Sequence, residues 1–192
     1  MSTVDKDTRF VKNTLMENPK EERLLSVAYQ EFLNHGYERV KMNDLAKLAG
    51  ISRAALYQMF NSKEQVFKRI FADLVEGLIS EIREGFGTLS DPRQKIRLAF
   101  DVWAVKNFDS IKKSAEASEL LDVGLEFSRD VLEQGFRDFE DLLTPILPRT
   151  SEAPPEFLSH ILSSALRGIK KTARNSKELR AMIEGLLIQC GL

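Results

Sequence analysis

Apolar residues recur at three- and four-residue steps along almost the whole chain, and no stretch alternates apolar and polar with the period of two that marks a half-buried strand. The pattern predicts an all-α protein. Residues 1–17 stand apart, polar and mixed in charge, with Phe10, Val11 and Leu15 too few to bury a face; they predict a loose arm. Asn18-Pro19 reads as an N-cap followed by proline at the first helical position, with Glu21 placed to close a capping box. The helix it opens carries Leu24, Leu25, Ala28, Phe32 and Leu33 on one side and ends at His35-Gly36. Ser62 to Gln65 reads as a second capping box, opening a helix to about residue 85 with a stripe from Phe67, Ile70 and Phe71 to Ile82. Asp91-Pro92 starts another, bearing Ile96, Ala99, Phe100 and Trp103. Residues 115–143 predict one long helix, or two broken at Gly124. Four prolines make 144–155 a loop, and helices over 156–173 and 177–189 close the chain.

Residues 42–60, MNDLAKLAGISRAALYQMF, predict two short helices that cross steeply. Ala46 lies where the second helix presses closest. Gly50 occupies the turn, where a positive φ costs least. Ile51, Leu56 and Met59 face back onto Leu45, and Ser52 caps the second helix through its hydroxyl. This is a helix-turn-helix arrangement, whose second helix is built to enter a major groove. A helical hairpin that merely packs would carry the same inner residues, so the outward ones decide between the two. They are Arg53, Ala54 and Gln58, and Arg and Gln are suited to bidentate contacts with guanine and adenine edges. None of positions 52, 53, 54 and 58 is acidic.

The 192 residues are 43% hydrophobic and carry a net charge of -1, enough to build a core and too balanced for disorder. Charge is uneven along the chain: residues 1–70 hold 12 Lys+Arg against 9 Asp+Glu, and the remainder 16 against 20. That asymmetry agrees with a polyanion partner for the first third. A single cysteine, Cys190, excludes disulfide frameworks and cysteine-built zinc sites. No apolar run approaches a membrane span and the N-terminus lacks a signal-peptide core, which leads to the expectation of a cytoplasmic protein without a membrane partner. No cofactor, metal site or catalytic residue is expected. The residues three before His35 and His160 are phenylalanines, so a helical-bundle metal oxidase is excluded, and no nucleophile elbow, P-loop or dinucleotide glycine run occurs.

From Arg23 to about Phe71 the segments F-L-N-H-G-Y, D-L-A-K-L-A-G-I-S, L-Y-Q-M-F and S-K-E-Q-V-F resemble the TetR family of bacterial transcriptional regulators, over about a quarter of the chain. The resemblance implies a three-helix DNA-binding domain over 18–62 and a helical ligand-binding and dimerisation domain over 63–192. It implies a homodimeric repressor, cytoplasmic and nucleoid-associated when bound, released from a pseudo-palindromic double-stranded operator by a small-molecule inducer. Residue by residue, Ser52, Arg53, Ala54 and Gln58 match recognition-helix positions facing bases or adjacent phosphates. Tyr57 matches a tyrosine whose hydroxyl meets a phosphate, and Lys63 a lysine that contacts the DNA backbone. Asn43, at the start of the second helix, is a further backbone contact. Two positions depart from the family pattern. Val40-Lys41 stands where a hydroxyl cap is usual, so Lys41 is left to supply the phosphate contact. Ala54 replaces a frequent glycine and presents a methyl group to a thymine methyl. The alternative is a dimeric small-molecule-binding or interaction protein that has lost specific DNA binding; Arg53, Tyr57, Gln58 and Lys63 together argue against it.

Beyond residue 63 the motifs are less specific. Phe71, Phe100, Trp103, Phe127 and Phe136 either line a cavity for an apolar or amphipathic effector or simply form core. Trp103 is the first choice for a ligand, because a buried indole N–H needs an acceptor. The last two helices carry an interface signature in Leu158, Ile161, Leu162, Ala165, Leu166 and Ile169 and in Leu179, Met182, Ile183 and Leu186. Apolar over a wide arc, they fit a four-helix bundle formed across a two-fold axis.

Overall fold

A computed structural model describes residues 18–106, 108–113, 115–116, 119–120, 126–149 and 153–192; the arm expected over 1–17 and the break expected at Gly124 lie outside them. Regular structure among the described residues is helical: α1 Pro19–His35, α2 Met42–Ala49, α3 Arg53–Met59, α4 Lys63–Thr88, α5 Pro92–Phe100, α6 Phe108–Lys113, α7 Arg129–Leu143, α8 Pro155–Thr172 and α9 Ser176–Gln189. None of these helices is long and apolar enough to cross a membrane. The chain forms two compact units: one reaches to Gly77 and takes in Lys113–Leu132, the other comprises Leu78–Lys112 and Glu133–Leu192.

The first unit closes around Leu24, Leu25, Ala28 and Phe32 of α1, Leu45, Ala46 and Ala49 of α2, Leu56 of α3, and Val66, Phe67 and Ile70 of α4. The first turns of α4 therefore belong to this core, and the division between units falls within α4 rather than at residue 62. Phe32, Tyr37 and Phe67 pack edge-on or tilted with centroids 5.4 to 5.7 Å apart. The helix ends follow local chemistry. The Ser52 hydroxyl accepts from the Ala55 N–H at 3.1 Å, and the Ser62 hydroxyl from the Gln65 N–H at 3.2 Å while Gln65 reaches back to the Asn61 N–H. At α1 the expected box takes a different form. Asn18 accepts from the Lys20 N–H, and the Glu21 carboxylate lies 3.7 Å from Arg69.

In the second unit α5, opened by an Asp91 cap on the Arg93 N–H, runs straight into a π-turn over Asp101–Val105, closed by the Lys106 N–H on the Asp101 carbonyl. All four residues Val102 to Val105 are buried there, which a regular period of 3.6 does not give an amphipathic helix. Trp103 stacks on Phe139 and meets Phe136 edge-on at 5.2 Å, and Phe100 meets Phe139. The last helices divide the residues expected at the interface by burial. Leu158, Leu162 and Leu166 of α8 and Leu179 and Ile183 of α9 are buried in this unit's own core, while Ala165, Ile169 and Leu186 are half-buried. What remains outside is a second arc: Phe157 (55% exposed), Ile161 (37%), Met182 (36%) and Ile188 (63%). Each helix carries apolar residues on both arcs, and sequence periodicity does not say which arc the chain itself covers.

Candidate nucleic-acid interface

The turn between α2 and α3 decides how α3 is presented. Gly50 lies at φ 66°, ψ 34°, in the left-handed region, and ends α2 with a double closure: the Gly50 N–H donates to the Lys47 carbonyl at 3.1 Å and the Ile51 N–H to the Ala46 carbonyl at 3.0 Å. Two residues on, the Ser52 cap starts α3. Leu56 of α3 is fully buried, and Ile51 and Met59 pack partly buried against the same core. Anchoring that face turns Arg53, Ala54, Tyr57 and Gln58 outward, and all four are exposed. The Arg53 guanidinium lies 5.4 Å from the Tyr57 ring centroid, within cation–π range one helical turn away. This contact orders a long side chain along the helix without neutralising it.

Lys41 and Asn43 are exposed at the start of α2, whose N-cap, Lys41, makes no side-chain capping bond. The missing hydroxyl read from Val40-Lys41 is thus not replaced by another capping group. Lys63 is engaged within the fold. Its Nζ donates to the Tyr37 carbonyl at 2.7 Å and to the Glu38 carbonyl at 3.3 Å, and it sits 4.1 Å over the Tyr37 ring. Burial lowers its pKa, while Glu38 and Glu119 pull it back up. Glu119 reinforces the same turn, accepting from the Glu38 N–H at 3.3 Å. The Lys63 ammonium thus fixes the connection between α1 and α2.

The five aromatic residues considered for an effector fall into two groups. Phe100, Trp103 and Phe136 are buried in the second unit's ring cluster, with Arg167 held 3.7 Å over the Phe136 ring and paired to Glu133. Phe71 and Phe127 pack against the core of the first unit instead, Phe127 with Tyr37 and Phe71 stacked on Phe67.

Sequence reading passed over Arg23 of α1, an exposed residue. A guanidinium nitrogen of Arg23 lies 3.5 Å from the position a β-carbon would take on Gly50. The two residues are 27 positions apart, and only the packing of α1 on α2 reveals the contact.

Residues 24–70 match a profile described as bacterial regulatory proteins, tetR family. The chain is similar to the HTH-type transcriptional activator FasR of Mycolicibacterium smegmatis, 30% identical over 109 residues, 57% of this chain and 48% of that protein. It spans about half the length of the curated relatives it matches. In fold it resembles a transcriptional regulator of Pseudomonas aeruginosa PAO1, at TM-score 0.67 and 14% identity over 96% of this chain and 95% of that one. It also resembles Thermus thermophilus FadR, solved in complex with lauroyl-CoA, at TM-score 0.60 and 21% identity over 88% and 92%. The matched stretch holds the glycine turn, the Ser52 cap and the exposed face of α3, and the all-helical architecture extends the likeness over nearly the whole chain. Over residues 24–70 the chain carries the N-terminal domain of the tetR family of bacterial regulatory proteins.

Proposed function

We propose that the protein is a sequence-specific regulator of transcription that binds double-stranded DNA through α3, acts in the cytoplasm as a homodimer on a pseudo-palindromic operator, and represses until a small molecule releases it. The exposed face of α3 carries this reading: Arg53, Ala54, Tyr57 and Gln58 point outward from a helix without an acidic residue, started by the Ser52 cap and anchored at its middle by the buried Leu56. The test is to select duplexes from a random library with the wild-type protein, then titrate Arg53→Ala and Gln58→Ala on the winner and on single-base variants. Each substitution should cost about 1–3 kcal/mol, confined to particular base pairs. If both variants keep the wild-type preference for the selected over the scrambled duplex, the assignment is refuted. If the wild type enriches no duplex at all, the alternative of a dimeric ligand-binding protein takes its place.

For the effector, the reading rests on the Phe100–Trp103–Phe136 cluster and on the likeness in fold to FadR, whose structure holds lauroyl-CoA. Lauroyl-CoA is thus the first amphipathic probe. Trp103 is the chain's one tryptophan, so its fluorescence reports that cluster without background. An inducer must bind the DNA-incompetent state more tightly, since equal binding to both states shifts nothing.

A further inference from the structure

The cations of the first unit divide by what holds them. Lys63 is spent on two carbonyls, Lys68 on Asp130 at 2.7 Å, and Arg69 on Asp73 at 2.9 Å. All three belong to α4. Lys20, Arg23, Arg39, Lys41, Lys47, Arg53 and Arg129 are exposed and, among the described residues, their side chains have no carboxylate or carbonyl acceptor. Lys41, Lys47 and Arg53 lie on the two helices of the helix-turn-helix or at its edge; Lys20 and Arg23 come from α1. The neighbours of Arg23, Leu24 and Leu25, are fully buried, which sends Arg23 to the outer side, where its guanidinium lies across Gly50. With no side chain at Gly50, the planar group rests at 3.5 to 3.8 Å from the β-carbon position, in ordinary van der Waals contact.

A purely structural role would have the guanidinium cap the C-terminus of α2. The Ala46 and Lys47 carbonyls already accept from Ile51 and Gly50, and among the described residues no carbonyl accepts from Arg23. The guanidinium therefore keeps its donors free, held by packing at the turn that introduces α3. When a helix-turn-helix docks, the second helix enters the groove and the preceding elements meet the sugar–phosphate backbone. A positioned guanidinium presents a fork that matches phosphate geometry. Resting on the proposed DNA binding, we propose that Arg23 is a DNA-backbone contact, donating to a phosphate that flanks the bases read by α3.

The experiment is an anisotropy titration of the full chain on a selected duplex and on its scrambled counterpart, over a series of KCl concentrations. Arg23→Gln keeps most of the stem and removes the charge. It should weaken binding about eightfold per protomer near ~0.1 M salt, equally on both duplexes, and make the slope of log K against log salt shallower by about 0.9 per protomer. Arg23→Ala serves as the second neutral variant and should show the same slope change, with an unfolding midpoint confirming that both variants are folded. Arg23→Lys should restore the slope. If the neutral variants keep the wild-type slope while Arg53→Ala abolishes preference for the selected duplex, the Arg23 assignment falls and the DNA reading stands. A loss confined to the selected duplex overturns it too, because a phosphate contact is blind to sequence. If Arg53→Ala also leaves preference intact, the reading of bases by α3 fails and takes the Arg23 assignment with it.

Discussion

Gly50 sits at φ 66°, a backbone conformation that costs an L-residue about 1–2 kcal/mol, and its nearest neighbour is 3.5 Å from a would-be β-carbon. Gly50→Ala should therefore destabilise by about that amount through the backbone alone, read as a shift of the urea midpoint without a change in m-value. Lys63 makes a different point. Its two carbonyl contacts tie the start of α4 to the turn after α1, so Lys63→Met should cost about 1–2 kcal/mol of stability, hydrogen bonds from a charged donor being worth somewhat more than neutral ones before solvent screening. Its effect on DNA binding should follow from the disturbed turn, with the salt slope unchanged. A slope shallower by about 0.9 for Lys63→Met would instead place the ammonium on a phosphate.

Within α4, Asp73 is the residue whose environment and charge conflict. It is 5% exposed; Oδ1 accepts from Arg69 while Oδ2 is buried with no partner. Burial raises its pKa, and Arg69 opposes the rise only in part. A folded pKa above the unfolded value of about 3.9 means that the native state holds the proton more tightly. Stability from this group is then present below the unfolded value and is lost as pH rises through the folded one. Asp73→Asn removes that loss. The stability difference between variant and wild type should grow from about pH 4 upward and level off above the folded pKa, measured by urea unfolding across pH; parallel curves would refute the cause. The same helix shows how far sequence reaches. Its cap, its length and its apolar stripe follow from Ser62, Gln65 and the three- and four-residue steps, as the turn and caps of α2 and α3 follow from Gly50 and Ser52. Other features depend on what packs where. The π-turn at Asp101–Val105 has no marker in a periodic pattern, the contact of Arg23 with Gly50 joins residues far apart in sequence, and α8 and α9 are apolar on both arcs. Phe71 and Phe127 look like Phe100 and Trp103 in sequence, and only the packing sends them to a different core.

At the scale of the molecule, one α3 reads only a few base pairs, so useful specificity requires two copies at fixed spacing on a two-fold site. The proposed homodimer needs a self-complementary patch outside the chain's own core. The outer arcs of α8 and α9 provide one: Phe157 and Ile161 with Gly168 on one helix, Met182 and Ile188 with Gly185 on the other, and nothing within 4 Å of where a β-carbon would stand on either glycine. Two such arcs can meet closely across an axis, whereas Leu158, Leu162, Leu166, Leu179 and Ile183 are already covered. Substitution can therefore separate the two faces of one helix. Leu162→Ala should destabilise the fold by about 2–5 kcal/mol, with dimerisation retained in whatever fraction stays folded. Ile161→Glu should leave the unfolding midpoint of the isolated chain unchanged and yield monomers in sedimentation velocity. That monomer should lose most of its preference for the selected duplex and about half of the salt slope, because half as many phosphates are met per binding event. An intact Ile161→Glu dimer at low protein concentration would move the two-fold contact away from α8.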